Sequence, residues 1–252
     1  MNKSVSAIVQ ARMNSKRLPY KSIRKLGNCE ILEWVIKRLK KSKKTDKIIL
    51  ATTTNLEDEK LVKIARKNNI SFFQGSENNV LERFYEASKK FKLKNIVRVC
   101  ADRPFISWSE IDLLINSYFA KGMKYTFNDG SLIPKTNHSK FKKMQYAKGF
   151  GAEIFSFKEL EFLYKNAHLP RYQEHVTNYI WENFKNSSIQ LAQTNIPKSK
   201  RYLRALIDTK KDFNIVNNFV KKFSINAHTN TQDIVNYLHK YKNSKGLLIN
   251  KN

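Results

Sequence analysis

The sequence predicts an α/β fold built on a mainly parallel sheet, and three observations predict it. Apolar runs at 5–10 (VSAIVQ), 47–53 (KIILATT) and 95–100 (NIVRVC) have the length and β-branched content of buried strands. Between them lie segments of roughly 10–15 residues with apolar positions at helical spacing, the signature of βαβ units. Each run also empties into a polar loop, and in parallel sheets ligands sit at those carboxyl ends. The length, 252 residues, and the 41% hydrophobic content suit one large core. A single domain over residues 1–242 is expected, with 243–252 as a flexible tail.

The elements follow in order. Residues 5–10 form the first strand. Ile31, Leu32, Val35, Ile36 and Leu39 lay an apolar stripe along a helix at 31–39. Residues 47–53 form the second strand. Leu61, Ile64 and Ala65 share one face of a helix at 56–68, and 70–73 is a short strand. Leu81, Phe84, Tyr85 and Ser88 are in register on an amphipathic helix at 80–91. The strand at 95–100 leads to a helix at 109–119 with Ser109 as candidate cap. Beyond Lys124 the pattern weakens. A strand at 125–128 opens a polar, basic stretch, and 125–148 reads as a lid or insertion. Strands at 153–157 and 189–194, a short strand ending at 207–209, and helices at 160–166, 175–184, 212–223 and 231–241 complete the chain.

Lys and Arg number 48 against 21 Asp and Glu, a net charge of +27. The lysines are scattered along the chain, so nucleic acid is not the expected partner; a small polyanion such as a nucleoside triphosphate accounts for a basic cleft equally well. Cys29 and Cys100 are isolated, which suits a reducing cytoplasm and no disulfide framework. No apolar run approaches the roughly 18 residues that span a bilayer, and the N-terminus carries no signal-like apolar segment, so no membrane role is expected.

Two features carry chemistry. The loop after the first strand, QARMNSKRLPYK, places Arg12, Lys16, Arg17 and Lys21 around Asn14 and Ser15. Backbone N–H groups and cations in such a loop hold a triphosphate, or else form a basic surface. It is not a Walker A loop, and no GxGxxG follows the strand, which excludes a Rossmann dehydrogenase. Asp102 and Asp208 each end an apolar run. Each suits a Mg²⁺ that also touches phosphate oxygens, or is a turn residue paired with a neighbouring arginine.

Five blocks in order resemble the cytidylyltransferase family, in its spore-coat polysaccharide branch, with the CMP-sialic acid and CMP-KDO synthetases as more distant cousins. QARMNSKRLPYK is similar to that branch's QARMGSTRLPGK. FQGSENNVLERFYEA resembles FRGSEEDVLDRYYQA, and VRVCADRPFI resembles VRITGDCPLI. QEHVTNYI and RALIDTKKDF resemble REHVTPYI and RWTVDTPEDF. The resemblance implies a Rossmann-like three-layer sandwich with a mainly parallel mixed sheet, the nucleotide-diphospho-sugar transferase fold. It implies a Mg²⁺-dependent nucleotidyltransferase of surface glycan biosynthesis that activates an anionic sugar, either a sugar acid or a sugar phosphate, and releases pyrophosphate. CTP is the favoured donor, with GTP and UTP open, and a homodimer is the expected assembly. Arg12, Lys21, Asp102 and Asp208 become the catalytic set, with Asp102 and Asp208 on Mg²⁺. Ala11, Arg12, Ser15, Arg17, Lys21, Thr53, Arg83 and Arg98 would bind nucleotide; Gly149, Glu153, Glu174, His175 and Arg204 would face the sugar. For Arg83 the alternative is a solvated helix face, for Arg98 a snorkelling strand residue, and for His175 a structural or capping role.

The chain departs from the pattern at three places. Asn14 and Tyr20 stand where the family has Gly, and Gly151, in GFGAE, stands at the acidic position of GLDVE. The last change bears on sugar specificity, and Tyr20 and Gly151 together motivate the competing reading, a retired scaffold that binds nucleotide or RNA without turnover.

Overall fold

The structure, a computed structural model, describes residues 3–133, 141 and 144–245. A seven-stranded sheet runs in the order β5 (Ser71–Gly75), β4 (Lys47–Thr53), β1 (Val5–Gln10), β6 (Asn95–Cys100), β8 (Glu153–Ser156), β7 (Tyr125–Phe127) and β9 (Ile189–Leu191). The first four are mutually parallel; β8 runs antiparallel to both its neighbours, and β7 pairs in parallel with β9. The expected mixed, mainly parallel sheet is present. A two-residue hairpin, β2 (Lys25–Leu26) with β3 (Cys29–Glu30), was not expected and lies beside it.

β1 is apolar on both sides because helices cover both faces of the sheet. Val5, Ala7 and Val9 pack against α1 (Ile31–Leu39), α2 (Glu59–Lys67) and α4 (Trp108–Lys121). Ile8 points the other way, into a core with α3 (Val80–Lys90), α5 (Phe157–Asn166), α6 (Pro170–Glu174) and α7 (Asn178–Asn183). A third cluster joins Leu26, Trp34 and Phe105 to α8 (Lys210–Lys222) and α9 (Thr231–Lys245) through Phe219, Ile234 and Leu238. Arg38, fully buried, fastens this C-terminal arm to the rest. It donates to the carbonyls of Ile106, Ala227 and Thr229 and to the Thr231 hydroxyl.

Several sequence expectations need correction. α4 is capped by Ser107, whose hydroxyl accepts from the Glu110 N–H, and not by Ser109. The helix expected at 175–184 is shorter, Asn178–Asn183; His175 and Thr177 leave helical geometry and separate it from a further helix, Pro170–Glu174, that was not expected. Residues 207–209 form no strand; the Ile207 N–H donates to the Asp102 carbonyl at 3.0 Å, and Thr209 caps α8 in a box with Asp212. Within the 125–148 stretch, Tyr125–Phe127 is an interior strand and Gly130–Leu132 a 3-10 turn, whereas 134–140 and 142–143 lie outside the described residues. The last helix runs to Lys245, and 246–252 lie outside the described residues. Among the described residues no helix is long and apolar enough to cross a membrane.

Candidate active site

The carboxyl ends of β1 and β6 open on a cleft of about 650 Å³. Its first wall is the loop after β1, which contributes Ala11, Arg12, Ser15, Lys16, Arg17 and Lys21. Met13 organises that loop. Its side chain is buried, and its carbonyl accepts the N–H groups of Ser15 (2.9 Å) and Tyr20 (3.0 Å). Leu18 pins the far end into the C-terminal core.

Tyr20 adopts φ 58°, which explains why the family pattern carries Gly there. A left-handed non-glycine residue costs roughly 1–2 kcal/mol. The side chain turns outward, and its hydroxyl donates to Glu57 at 3.1 Å, so it does not close the cleft. Asn14 donates to Glu77 at 3.3 Å.

Lys21 follows directly and reaches into the cleft. Its Nζ lies 3.3 Å from Asp102 Oδ2 and 3.9 Å from Asp208 Oδ1. The two carboxylates, far apart in sequence, thus face one point. Arg17 and Arg204 each hold one oxygen of Asp208 at 2.9 Å. Two hard carboxylate donors converging on a point that already holds a positive charge suit Mg²⁺, which takes one or two carboxylates and completes its shell with water and phosphate. Among the described residues no cluster of three or more Asp, Glu, His or Cys exists that would suggest a more fully protein-ligated metal.

The floor of the cleft is arginine. Arg83 is only 2% exposed, so the solvated-face alternative fails. Its Nη1 donates to the Ser76 carbonyl at 2.6 Å, and its Nε has no partner among the described residues. Burial first, and then the charge of Arg12, pull its pKa down to about 10, so an incoming anion relieves both. Arg98 sits directly across from Glu153 in the β6–β8 ladder and ion-pairs with it. Glu153 also accepts the Tyr125 hydroxyl, and Arg98 Nε donates to Gln10 at 2.9 Å. Burial opposes the Arg98 charge, but Glu153 outweighs it and the net shift is upward. Glu153 is fully buried behind Arg98; it braces that residue and does not line the cleft. Glu174, the last residue of α6, and His175, in the break after it, close the far wall, and Glu174 pairs with Arg12 at 3.7 Å.

Besides Glu153, three predicted site residues fall elsewhere. Thr53 is fully buried, and its hydroxyl is donated to Asp58 at 2.6 Å. Gly149, at φ 95°, packs against the Ala205 carbonyl and donates to Asp129, away from the cleft. Arg204 does not line the cleft but positions Asp208 and Asp212. The sequence reading missed Asp58, Arg103 and Asp129. Asp129 accepts the N–H groups of Gly149, Phe150 and Gly151 at 2.7–3.0 Å, and Arg103 faces it at 3.5 Å. Only the position of Arg103, next to Asp102 in the motif, offered a signal.

The sheet and its cationic cleft define a nucleotidyltransferase. Residues 6–250 match the family model described as cytidylyltransferase, and the chain belongs to that family. It is 36% identical over 243 residues to an uncharacterized protein of Methanocaldococcus jannaschii, covering 96% of this chain and 93% of that one. It is 27% identical to the spore coat polysaccharide biosynthesis protein SpsF of Bacillus subtilis, covering 92% and 93%. A cytidylyltransferase structure from Leptospira borgpetersenii superposes with a TM-score of 0.82 at 28% identity, covering 99% of this chain and 98% of that one.

Proposed function

We propose that the cleft binds CTP with Mg²⁺ and transfers the cytidylyl group to an anionic sugar destined for a surface glycan. The observation that carries this reading is the convergence of Asp102, Asp208 and Lys21 beside a cleft with six cationic side chains. An acceptor oxygen, from the hydroxyl of a sugar acid, which passes its proton to solvent water, or from the ionised phosphate of a sugar phosphate, attacks the α-phosphorus. The bond from the α-phosphorus to the bridging oxygen breaks, and pyrophosphate leaves with the electron pair. Arg12, Arg17 and Lys21 hold the triphosphate and stabilise the charge that builds on the leaving group. Ser15 and the backbone of Ala11 line the same wall. Asp102 and Asp208 would hold Mg²⁺, which neutralises phosphate charge and favours in-line geometry. Arg83 and Arg98 supply fixed positive charge on the floor; Glu174 and His175 line the far wall, which supports assigning the acceptor to that side.

The testing experiment is thermal unfolding with Mg²⁺ and each of CTP, GTP, UTP and ATP. A ligand at 100 times its Kd adds about 2.7 kcal/mol, which raises Tm by several degrees for a chain of this size. A Mg²⁺-enhanced shift for CTP, followed by pyrophosphate release with a panel of sugar acids and sugar phosphates, is the expected result. No shift with any triphosphate would overturn the reading.

A further inference from the structure

Asp58 stands where α2 begins, a position at which an aspartate usually caps its own helix. Its carboxylate makes no such bond. It is 1% exposed and is turned back toward the sheet, where it accepts four hydrogen bonds. Oδ2 takes the Thr52 hydroxyl (2.8 Å), the Thr53 N–H (3.0 Å) and the Thr53 hydroxyl (2.6 Å), all at the carboxyl end of β4. Oδ1 takes the N–H of Met13 at 2.8 Å. Met13 is the residue on whose carbonyl the turns of the 11–21 loop close. One carboxylate therefore ties the phosphate-facing loop to the neighbouring strand. The two tethers lie on different oxygens, so they can be separated by mutation.

We propose that Asp58 is the positioning residue of the triphosphate loop: it holds residues 11–21 in their binding shape through the Met13 N–H. The proposal rests on the transferase reading above. A loop ordered before binding does not charge its ordering to the ligand. Asp58 touches no ligand; Arg12, Ser15 and Lys21 do, and Asp58 sets where they stand.

Asp58→Asn discriminates. The side facing β4 holds one obligatory donor, the Thr53 N–H, and two hydroxyls, so the amide oxygen serves that side best. The amide NH₂ then meets the Met13 N–H, donor against donor, and the loop is released while β4 stays held. Thr52→Val is the matched control, removing one donor on the β4 side and leaving the Met13 bond. Two readouts are taken on all three proteins: hydrogen–deuterium exchange of peptides covering 11–21 without ligand, and the Kd of CTP with Mg²⁺. Asp58→Asn is expected to speed exchange in the loop and to weaken CTP by about tenfold or more, the worth of a hydrogen bond to a charged group. Thr52→Val is expected to lower Tm and leave both loop exchange and Kd as in the parent. Unchanged loop exchange in Asp58→Asn, or equal losses in both variants, overturns the proposal. A parent protein that binds no triphosphate sinks the transferase reading instead, and the exchange comparison still decides the tether.

Discussion

Gly151→Ala adds a single carbon, and the structure says what that carbon meets. A Cβ at Gly151 would lie 2.5 Å from the Asn128 carbonyl oxygen and in contact with Asn128 Oδ1. The carbonyl is backbone and cannot swing away. Asn128 is also fixed, accepting the Ala152 N–H at 3.0 Å and donating to the Glu110 carbonyl at 2.8 Å. Overpacking of this kind costs about 1–3 kcal/mol. Replacing Gly restricts the unfolded chain and returns about 0.4–1 kcal/mol. The expected net loss is about 1–2 kcal/mol, or a fall in Tm of roughly 3–6 °C for a chain of this length.

Gly151→Asp restores the family's acidic residue and should do worse. The new carboxylate enters a closed space beside Asp129 and near Glu153, both fully buried. An unpaired buried charge adds several kcal/mol more, on the order of 3. Chemical unfolding of parent, Gly151→Ala and Gly151→Asp would measure both steps. A Gly151→Ala protein at least as stable as the parent would refute the steric argument. So would a Gly151→Asp protein that unfolds no earlier than Gly151→Ala. The Gly151 carbonyl accepts from Arg103 at 2.9 Å and its N–H donates to Asp129, so the backbone is used where the family pattern has a side chain.

Lys21→Met should tighten binding of Mn²⁺ alone, because an ammonium no longer competes for Asp102 and Asp208, while weakening CTP by about tenfold; calorimetry on each ligand separately checks both signs. Asp212 is held below its usual range: burial would raise it, but Arg204 and the donors of Thr209 and Asp208 outweigh burial. Its stabilising contribution is present above the unfolded value of 3.8 and is lost as pH falls through the lower folded one. Asp212→Asn should therefore flatten the acid limb of stability against pH in urea titrations and cost about 1 kcal/mol near neutrality through the lost cap. Glu110 has the opposite sign, raised by burial despite the Asn195 N–H, so Glu110→Gln should flatten the decline of stability as pH rises through its folded value.

The strands β1, β4 and β6 are legible because they are buried on both faces and leave unbroken apolar runs. The loop cations are legible because they sit at strand ends. What the sequence hides is pairing across distance. Asp58, in Leu56-Glu57-Asp58-Glu59, reads as an ordinary helix-start acid until β1 and β4 lie side by side. Arg98 and Glu153 are partners only because β8 enters antiparallel, and no local pattern announces that direction. Thr53 misleads for the same reason: it stands at the right end of its strand, but its hydroxyl faces inward to Asp58. Asp129 opens a stretch that reads as solvated, yet it is fully buried because three backbone N–H groups need an acceptor there.

The charge is also sorted more finely than a net value of +27 conveys. The chain has 37 lysines and 11 arginines, yet the cleft is lined by four arginines and two lysines. Lysine is spread over the surface, where it costs little and binds weakly; arginine is concentrated where a planar donor array can engage phosphate. The carboxylates are sorted too. Asp58, Asp129, Glu110, Glu153 and Glu33 are each no more than 2% exposed. Acids that would offset the positive surface stand inside, moulding loops and bracing Arg98. Four arginines, Arg38, Arg83, Arg98 and Arg103, are buried as well, so the surface keeps nearly the net charge of the composition. In the cleft Arg98 is braced by buried Glu153 and the loop that carries Arg12 and Arg17 is tied down by buried Asp58, while the overall positive charge favours the approach of a small polyanion.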